Sequence, residues 1–234
     1  MNALGTVSAQ FSTSAVDRIA ALQRQAARCD ACPLWQSATQ TVFGEGPADA
    51  EIMFVGEQPD DREDSTGRPF VGPAGLLLDR ALAEAGIDRK LTYVTNAVKH
   101  FKFEPRARQR LQKAPSVAEI GVCKHWLFAE IEVVRPKLIV ALGAIAARAI
   151  ARKPLQVNAN RGRALYLANG LNLFVTVHPS SLLRLAGRAE NSMAYSEFVR
   201  DLRSAAAIAS HGYRARNDRS SSNLVGNKTA SSDV

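Results

Sequence analysis

Apolar residues follow two periods along the chain, and the change from one to the other marks the predicted elements. Short apolar runs bounded by polar residues predict buried strands, and longer segments with apolar residues at helical spacing predict helices between them. Strands that alternate with helices imply a mostly parallel sheet covered on both faces, so the predicted α/β fold is a three-layer α/β/α sandwich around a four-stranded sheet. The main strands are predicted at 52–55, 91–96, 137–142 and 173–177, a short additional strand at 164–167, and the helices at 15–28, 76–85, 117–134, 143–151 and 190–208.

Length and local signals indicate one domain. A chain of 234 residues that is 46% hydrophobic can bury one sizeable core. Ser116, followed three residues later by Glu119, is typical of the start of a helix. We therefore predict one folded domain over residues 15–210, with disordered ends at 1–14 and 211–234, where small and polar residues lack periodicity.

The charge balance indicates an anionic partner. The net charge is +8 and the sequence pI is about 9.8. Nucleic acid is favoured over a membrane surface, because the sequence has neither a long apolar segment nor a basic amphipathic one. No run approaches the roughly 18 apolar residues of a membrane helix, and the N-terminus lacks the pattern of a signal peptide. We expect a soluble, intracellular protein that binds no membrane.

Polar side chains follow the main strands at one edge of the predicted sheet. Gln58, Asn96, Gly143 and His178 each lie at or just beyond the carboxyl end of a strand, where ligands bind in open α/β sheets. Asn96 offers a donor and an acceptor to the edge of a pyrimidine, and Phe70, in a loop rich in glycine and proline, offers a face for stacking. Their convergence predicts a cleft that binds a base.

The segment 178–184 carries the groups that a flipped base requires. His178 can donate a hydrogen bond to a carbonyl oxygen that gains negative charge, the hydroxyl of Ser180 can hold a phosphate, and a leucine can fill the vacated stack. The alternative is a helix cap after a strand, with a histidine whose hydrogen bonds are satisfied internally. The basic loop 99–113, in which aromatic residues interleave with lysine and arginine, fits phosphates and bases.

All three cysteines belong to one candidate metal site. Cys29 and Cys32 are spaced as C-x-x-C, and Cys123 and His100 can complete a set of three thiolates and one imidazole. Three cysteines cannot all pair as disulfides, which favours metal binding in a reducing compartment. Zinc and a four-iron cluster both fit this set, and the spacing does not distinguish them.

Four ordered motifs resemble those of the iron-sulfur uracil-DNA glycosylases, and most closely the X-type class. They are Gly-Glu-Gln-Pro at 56–59, Gly-Arg-Pro-Phe-Val-Gly-Pro at 67–73, Thr-Asn-Ala-Val-Lys-His-Phe-Lys-Phe at 95–103 and His-Pro-Ser-Ser at 178–181. The resemblance implies an enzyme that flips uracil out of single- or double-stranded DNA and hydrolyses its N-glycosidic bond in base excision repair. We accordingly expect a monomer in the bacterial cytoplasm that associates with the nucleoid through DNA. It also implies a four-iron, four-sulfur (4Fe-4S) cluster with the ligands Cys29, Cys32, His100 and Cys123.

The chemistry of this reaction assigns roles to the candidate residues. Cleavage leaves the sugar cationic and the departing base anionic, so both must be stabilised. His178 is assigned to the base, Glu57 to the sugar and Gln58 to a water molecule, and these three are the predicted catalytic residues. The residues predicted to bind the substrate are Gly56, Asp61, Phe70, Asn96, Gln112, Ser180 and Arg184.

One position departs from the X-type pattern in a way that affects the chemistry. That pattern reads Lys-Arg-Arg-Ile-His-Lys-Thr-Pro-Ser, whereas residues 108–116 have Gln112 at the place of the histidine that bonds covalently to DNA. An amide has no basic lone pair with which to attack the sugar, so we expect turnover without self-trapping. The alternative is a uracil-DNA or abasic-site binding protein with little or no turnover. Asp60 is a second departure, because relatives usually have glycine there, and the conformation of this turn is left open.

Overall fold

A five-stranded sheet is the middle layer of the fold, and the computed structural model describes residues 14–107, 109–185 and 189–211. The strands are β1 (Ile52–Gly56), β2 (Thr92–Asn96), β3 (Phe103–Arg106), β4 (Gln109–Gln112), β5 (Leu138–Leu142), β6 (Ala164–Tyr166) and β7 (Asn172–Thr176), with β3 and β4 forming a separate hairpin. The sheet order is β2-β1-β5-β7-β6, in which the first four strands are parallel and β6 is an antiparallel edge strand. The four expected main strands are confirmed, and the segment predicted as a short strand is the fifth.

Helices cover both faces of the sheet, so the three-layer prediction is confirmed. The helices are α1 (Ala15–Ala26), α2 (Asp61–Thr66), α3 (Pro73–Ala85), α4 (Val117–Val134), α5 (Ala144–Ala151), α6 (Val157–Asn160), α7 (Pro179–Leu183) and α8 (Ala189–His211), with 3₁₀ turns at Pro33–Gln36 and Arg89–Leu91. Met53 and Val55 of β1 pack under α4 and α5, whereas Phe54 between them packs under α3 and α8 on the opposite face. This alternation follows from the two-residue period of a strand.

Short polar elements are the part of the fold that periodicity did not predict. Helix α2 occupies a region expected to be loop, because Asp60 caps it in a reciprocal capping box with Glu63 and Gly67 ends it at a φ of 74°. The capping box also fixes the conformation of the turn at Asp60, which the sequence left open. The predicted basic loop contains the β3–β4 hairpin, and α6 and α7 are too short to give a periodic signal.

Helices α1 and α8 lie at the two ends of the described region. Ser14 caps α1, which ends at Ala26 rather than at residue 28, and α8 extends to His211. The predicted disorder at 1–13 and 212–234 lies outside the described residues. Among the helices described over 14–107, 109–185 and 189–211, none is both long and apolar enough to cross a membrane.

Candidate functional site

Two adjoining cavities lie where the parallel strands end. The smaller one has a volume of about 190 Å³, and the larger one, about 590 Å³, shares Gln112, His178 and Ser180 with it and also contains Glu57 and Arg184. The predicted convergence of residues at the carboxyl edge of the sheet is therefore observed. We call the smaller cavity the base pocket; the residues of its lining that matter below are Gln58, Glu63, Phe70, Asn96, Gln112 and His178.

Asn96 lines the base pocket and carries a donor without a partner in the described part of the chain. Its Nδ2 atom is buried and is one of three buried side-chain nitrogen or oxygen atoms without a hydrogen-bond partner in the described part of the chain. A buried donor without a partner costs roughly 1–3 kcal/mol. Gly56 makes this placement possible, because a Cβ atom there would lie 2.3 Å from Asn96 Oδ1 and 2.7 Å from Phe70 Cζ. The pocket is thus prepared for a ligand that carries a carbonyl oxygen.

Phe70 forms a buried wall of the same pocket. Its backbone has a φ of 57°, a left-handed conformation that costs a residue with a side chain about 1 kcal/mol or more. The following loop fixes this conformation, because Gly75 lies against the Phe70 carbonyl so closely that a Cβ would meet the oxygen at 1.9 Å. The Phe70 and His178 rings lie 6.5 Å apart and are inclined by 31°, so they form two sides of one slot.

His178 both caps a helix and faces the pocket, so the two interpretations of this residue are compatible. Its Nδ1 accepts a hydrogen bond from the Ser180 backbone N–H at 3.2 Å and lies 2.8 Å from Ser180 Oγ. Burial lowers the pKa of His178 to about 4, and the charge of Arg184 lowers it further in the same direction. The ring is therefore neutral near pH 7. Because Nδ1 is an acceptor, the proton is on Nε2, which makes that atom the free donor.

Glu57 and Arg184 lie together in the larger cavity. Burial raises the pKa of the Glu57 carboxyl, and the charge of Arg184 opposes that shift. Gln112, at the end of β4, is exposed and lines both cavities. The hairpin therefore borders both cavities.

Gln58 reaches the pocket wall but uses its amide to hold the hairpin. Its Nε2 donates to the carbonyl of Lys113 at 2.8 Å, and its Oε1 accepts from the backbone N–H of Lys102 at 3.1 Å. Lys102 and Lys113 flank the two strands of the hairpin. The amide is buried, and both its oxygen and its nitrogen are hydrogen-bonded. This favours a structural role for Gln58, as a clamp that holds the two ends of the hairpin, over the predicted water-positioning role.

Asp61 does not line either cavity. It lies exposed on α2 and pairs with Arg110 of β4, which also bonds to the buried Asp64 at 2.7 Å. The predicted contact between Asp61 and the substrate is therefore not formed within these cavities. Instead, the two carboxylates join α2 to the hairpin that carries Gln112.

The three cysteines lie in one region of the fold, with Cys29 and Cys32 between α1 and the following 3₁₀ turn and Cys123 on α4, which packs against α1. Burial raises the pKa of Cys123 to about 11, and the charges of Cys32 and Cys29 act on it as well, so the three thiols share one environment. Cys29 Sγ accepts from Trp126 Nε1 at 3.2 Å, and Cys123 Sγ accepts from the Lys99 backbone N–H at 3.2 Å. N–H donors directed at sulfur suit thiolates that bind a cluster.

His100 lies in the neighbouring turn with one ring nitrogen committed. Its Nε2 is 2.9 Å from Thr41 Oγ1, and that hydroxyl donates its only proton to the carbonyl of Ala26 at 2.9 Å. His100 Nε2 is therefore the donor, which leaves the lone pair of Nδ1 available for a metal. Over the described ranges, no three His, Cys, Asp or Glu side chains are close enough to hold a single ion. The donor set fits a cluster bound through separated ligands.

Glu63 is a pocket residue that the sequence analysis missed. It is only 4% exposed, and burial together with the charge of Asp60 raises its pKa to about 8. Its backbone partners include Phe70 and Gly72. The signal that could have identified it is the pair Asp60 and Glu63 at capping-box spacing, which predicts the helix start that turns Glu63 inward.

Comparison with known proteins gives consistent matches. The family model described as the uracil DNA glycosylase superfamily matches residues 43–203. A type-4 uracil-DNA glycosylase of Thermotoga maritima is 42% identical over 158 residues, which are 67% of this chain and 79% of that protein. A type-4 uracil-DNA glycosylase of Sulfurisphaera tokodaii is 35% identical over 176 residues (72% and 77%), and a type-5 uracil-DNA glycosylase of Pyrobaculum aerophilum is 31% identical over 159 residues (61% and 67%).

Proposed function

We propose that this chain, which belongs to the uracil DNA glycosylase superfamily, excises uracil from DNA by hydrolysis of the N-glycosidic bond. The reaction releases free uracil and leaves an abasic site for repair. One observation carries the proposal: Asn96 lines the same small pocket as Phe70, and in the described part of the chain its buried Nδ2 has no hydrogen-bond partner. A uracil ring supplies the missing acceptor and a flat face for stacking.

The base enters this pocket only after it leaves the stack. A cavity of about 190 Å³ beneath the strand ends accommodates one base, not a base pair. Phe70 stacks on the flipped ring while Asn96 donates to a carbonyl oxygen. The basic residues of the hairpin and Arg184 attract the phosphates on either side, in single- or double-stranded DNA. We propose that the enzyme acts as a monomer in the cytoplasm, where this DNA is found.

His178 stabilises the departing base as a neutral donor. As the glycosidic bond lengthens, negative charge collects on the uracil oxygens. His178 lines the pocket and its Nδ1 is engaged by Ser180, so its Nε2–H is the donor that meets this charge. A single donor of this kind contributes about 10²–10³ to the rate. Glu57, next to the same pocket, stabilises the positive sugar and accepts a proton from the attacking water.

Gln112 determines the fate of the sugar cation. The motifs of this chain resemble the X-type class, whereas the relatives compared above are named type-4 and type-5 enzymes. The clamp of Gln58 and the ion pairs of Arg110 hold Gln112 beside the cavities. An amide cannot capture the cation, so water does, and we propose that no covalent DNA adduct forms.

A 4Fe-4S cluster would be held by Cys29, Cys32, Cys123 and Nδ1 of His100. When bound, it supplies a rigid junction rather than a redox step of the reaction. The ligands lie in the segment between α1 and the following 3₁₀ turn, in the turn after β2, and in α4. Asn96 is the last residue of β2 and precedes His100 by four positions, so the ligand set lies next to the base pocket in the sequence.

The test uses an end-labelled single-stranded oligonucleotide with one uracil, and a matched oligonucleotide with thymine. We expect free uracil by chromatography, strand cleavage after alkali, and no band that survives boiling in detergent. The thymine strand should stay intact. Tight binding of the uracil strand without uracil release would support the alternative of a binding protein. A detergent-stable adduct would show that a nucleophile other than Gln112 captures the sugar.

A further inference from the structure

Lys99 and Glu130 form an ion pair that is shielded from water between the sheet and α4. Lys99 Nζ lies 2.6 Å from Glu130 Oε2, and neither side chain is exposed to solvent. Two charges removed from water gain no net stability from their attraction unless further hydrogen bonds hold both groups. A well-packed apolar pair would serve stability equally well. The role of this pair is therefore sought in the groups that it holds in place.

The Glu130 carboxylate joins the end of β2 to the loop that precedes β1. It accepts hydrogen bonds from the Gly44 backbone N–H at 2.9 Å, from the Thr95 hydroxyl at 2.9 Å and from the Tyr93 hydroxyl at 3.2 Å. Together with the ammonium of Lys99, these donors satisfy its charge. The carboxylate therefore has one position, and it gives the Lys99 ammonium one position as well.

The Lys99 ammonium is the centre of the turn that follows β2. It donates to the backbone carbonyl of Asn96 at 2.9 Å and to the Thr95 hydroxyl. The same turn continues the strand ladder, because the N–H of Ala97 donates to the Gly56 carbonyl at 3.0 Å. Asn96 is thus held through its backbone carbonyl, while its side-chain Nδ2 has no partner in the described part of the chain.

We infer that the Lys99–Glu130 pair is a positioning element for base recognition: it fixes the direction in which the Asn96 amide enters the base pocket. Neither residue lines a described cavity, so the pair acts through Asn96 and does not touch the base. The inference rests on the proposed function for its kinetic consequence. Hydrogen bonds in such a site tolerate only displacements well below about 1 Å. A fixed anchor for the Asn96 backbone therefore matters.

The experiment removes both charges and the Lys99 hydrogen bonds but keeps those that residue 130 accepts. In Lys99→Met/Glu130→Gln, the Gln amide oxygen still accepts from the backbone and hydroxyl donors, while the ammonium that holds the Asn96 carbonyl is removed. We expect kcat for uracil excision to fall about tenfold or more, with iron content and the unfolding midpoint close to those of the unaltered protein. The matched control is Glu51→Gln/Lys137→Met, which removes an ion pair that is more than half exposed and should leave kcat unchanged.

The same replacement made in the Asn96→Ala variant distinguishes a positioning role of the ion pair from a general loss of structure. If the pair acts through Asn96, its replacement costs little more once Asn96→Ala is present, whereas independent structural damage lowers the rate by the same factor in both backgrounds. A folded variant with normal kcat, or equal losses in both backgrounds, would overturn the inference. Lys99→Gln/Glu130→Gln, in which the two amides can bond, serves if the first variant does not fold.

A crystal structure of the folded variant gives a readout that is independent of turnover. We expect the Asn96 side chain to shift or to adopt several conformers, and an unmoved Asn96 would refute the inference. Failure of the proposed function is recognised separately, because the unaltered protein would then release no uracil. In that case the position of Asn96 in the variant still decides whether the pair is a positioning element.

Discussion

Replacement of His178 by alanine tests the mechanism most directly. The ring has two separable tasks: Nδ1 caps α7 through the Ser180 N–H, and Nε2 offers the donor to the base. Loss of a cap lowers stability by about 0.5–2 kcal/mol. Loss of one donor to a developing oxyanion lowers kcat by about 10²–10³, or about 2.7–4 kcal/mol of transition-state stabilisation. We expect both effects in His178→Ala.

His178→Asn separates the two tasks. Asparagine is a good N-cap residue, so it should restore the stability of α7, while its shorter side chain does not carry an N–H to the place of Nε2. We expect normal unfolding together with the slow rate of the alanine variant. The assay is single-turnover release of uracil from labelled DNA, with thermal unfolding measured in parallel. A rate within about threefold of the unaltered protein in either variant would remove His178 from the mechanism.

The charge of the ring gives a further test of the same mechanism. With a pKa of about 4, only about one ring in 10³ is protonated at pH 7. The rate should therefore show no titration of this residue between roughly pH 6 and 9. Because the folded pKa lies below the unfolded value, stability rises with pH through this group from about 4 to 6.5. A rate that follows an imidazole pKa near 6.5 and that vanishes in His178→Asn would contradict the neutral donor.

The remaining predictions concern the sugar, the cluster and the buried carboxyl. Gln112→His should form a detergent-stable adduct with uracil DNA in a gel assay, and no adduct in any condition would mean that this position does not reach the sugar. Cys123→Ala should lose the broad visible absorption of an iron-sulfur protein while His100→Cys keeps it, and iron analysis that finds one zinc instead would refute the cluster. Glu63, with a folded pKa of about 8, should make the protein less stable as pH rises from about 4.5 to 8, because the unfolded chain releases that proton first. Glu63→Gln should remove this dependence, of roughly 3–5 kcal/mol across the window, and an unchanged pH profile of unfolding would contradict the buried protonated carboxyl.

The sequence alone determined the layer structure and the edge at which the site lies. The apolar runs at β1, β2, β5 and β7 and the periodic segments between them were sufficient, because burial imposes a period of two or 3.6 residues on local sequence. The polar residues after those strands then had to meet, since parallel strands end at one edge. Gln58, Asn96 and His178, which follow three of these strands, line one cavity.

Tertiary structure decided what each polar side chain contacts. The partners of Gln58 are 44 and 55 positions away, Arg110 reaches Asp64 across 46 positions, and His100 reaches Thr41 across 59. No local period encodes such pairs, so the clamp on the hairpin could not be predicted. The inward turn of Glu63 and the burial of Lys99 against Glu130 depend on the same long-range packing. Periodicity records whether a residue is buried, and only the folded chain determines which distant group satisfies it there.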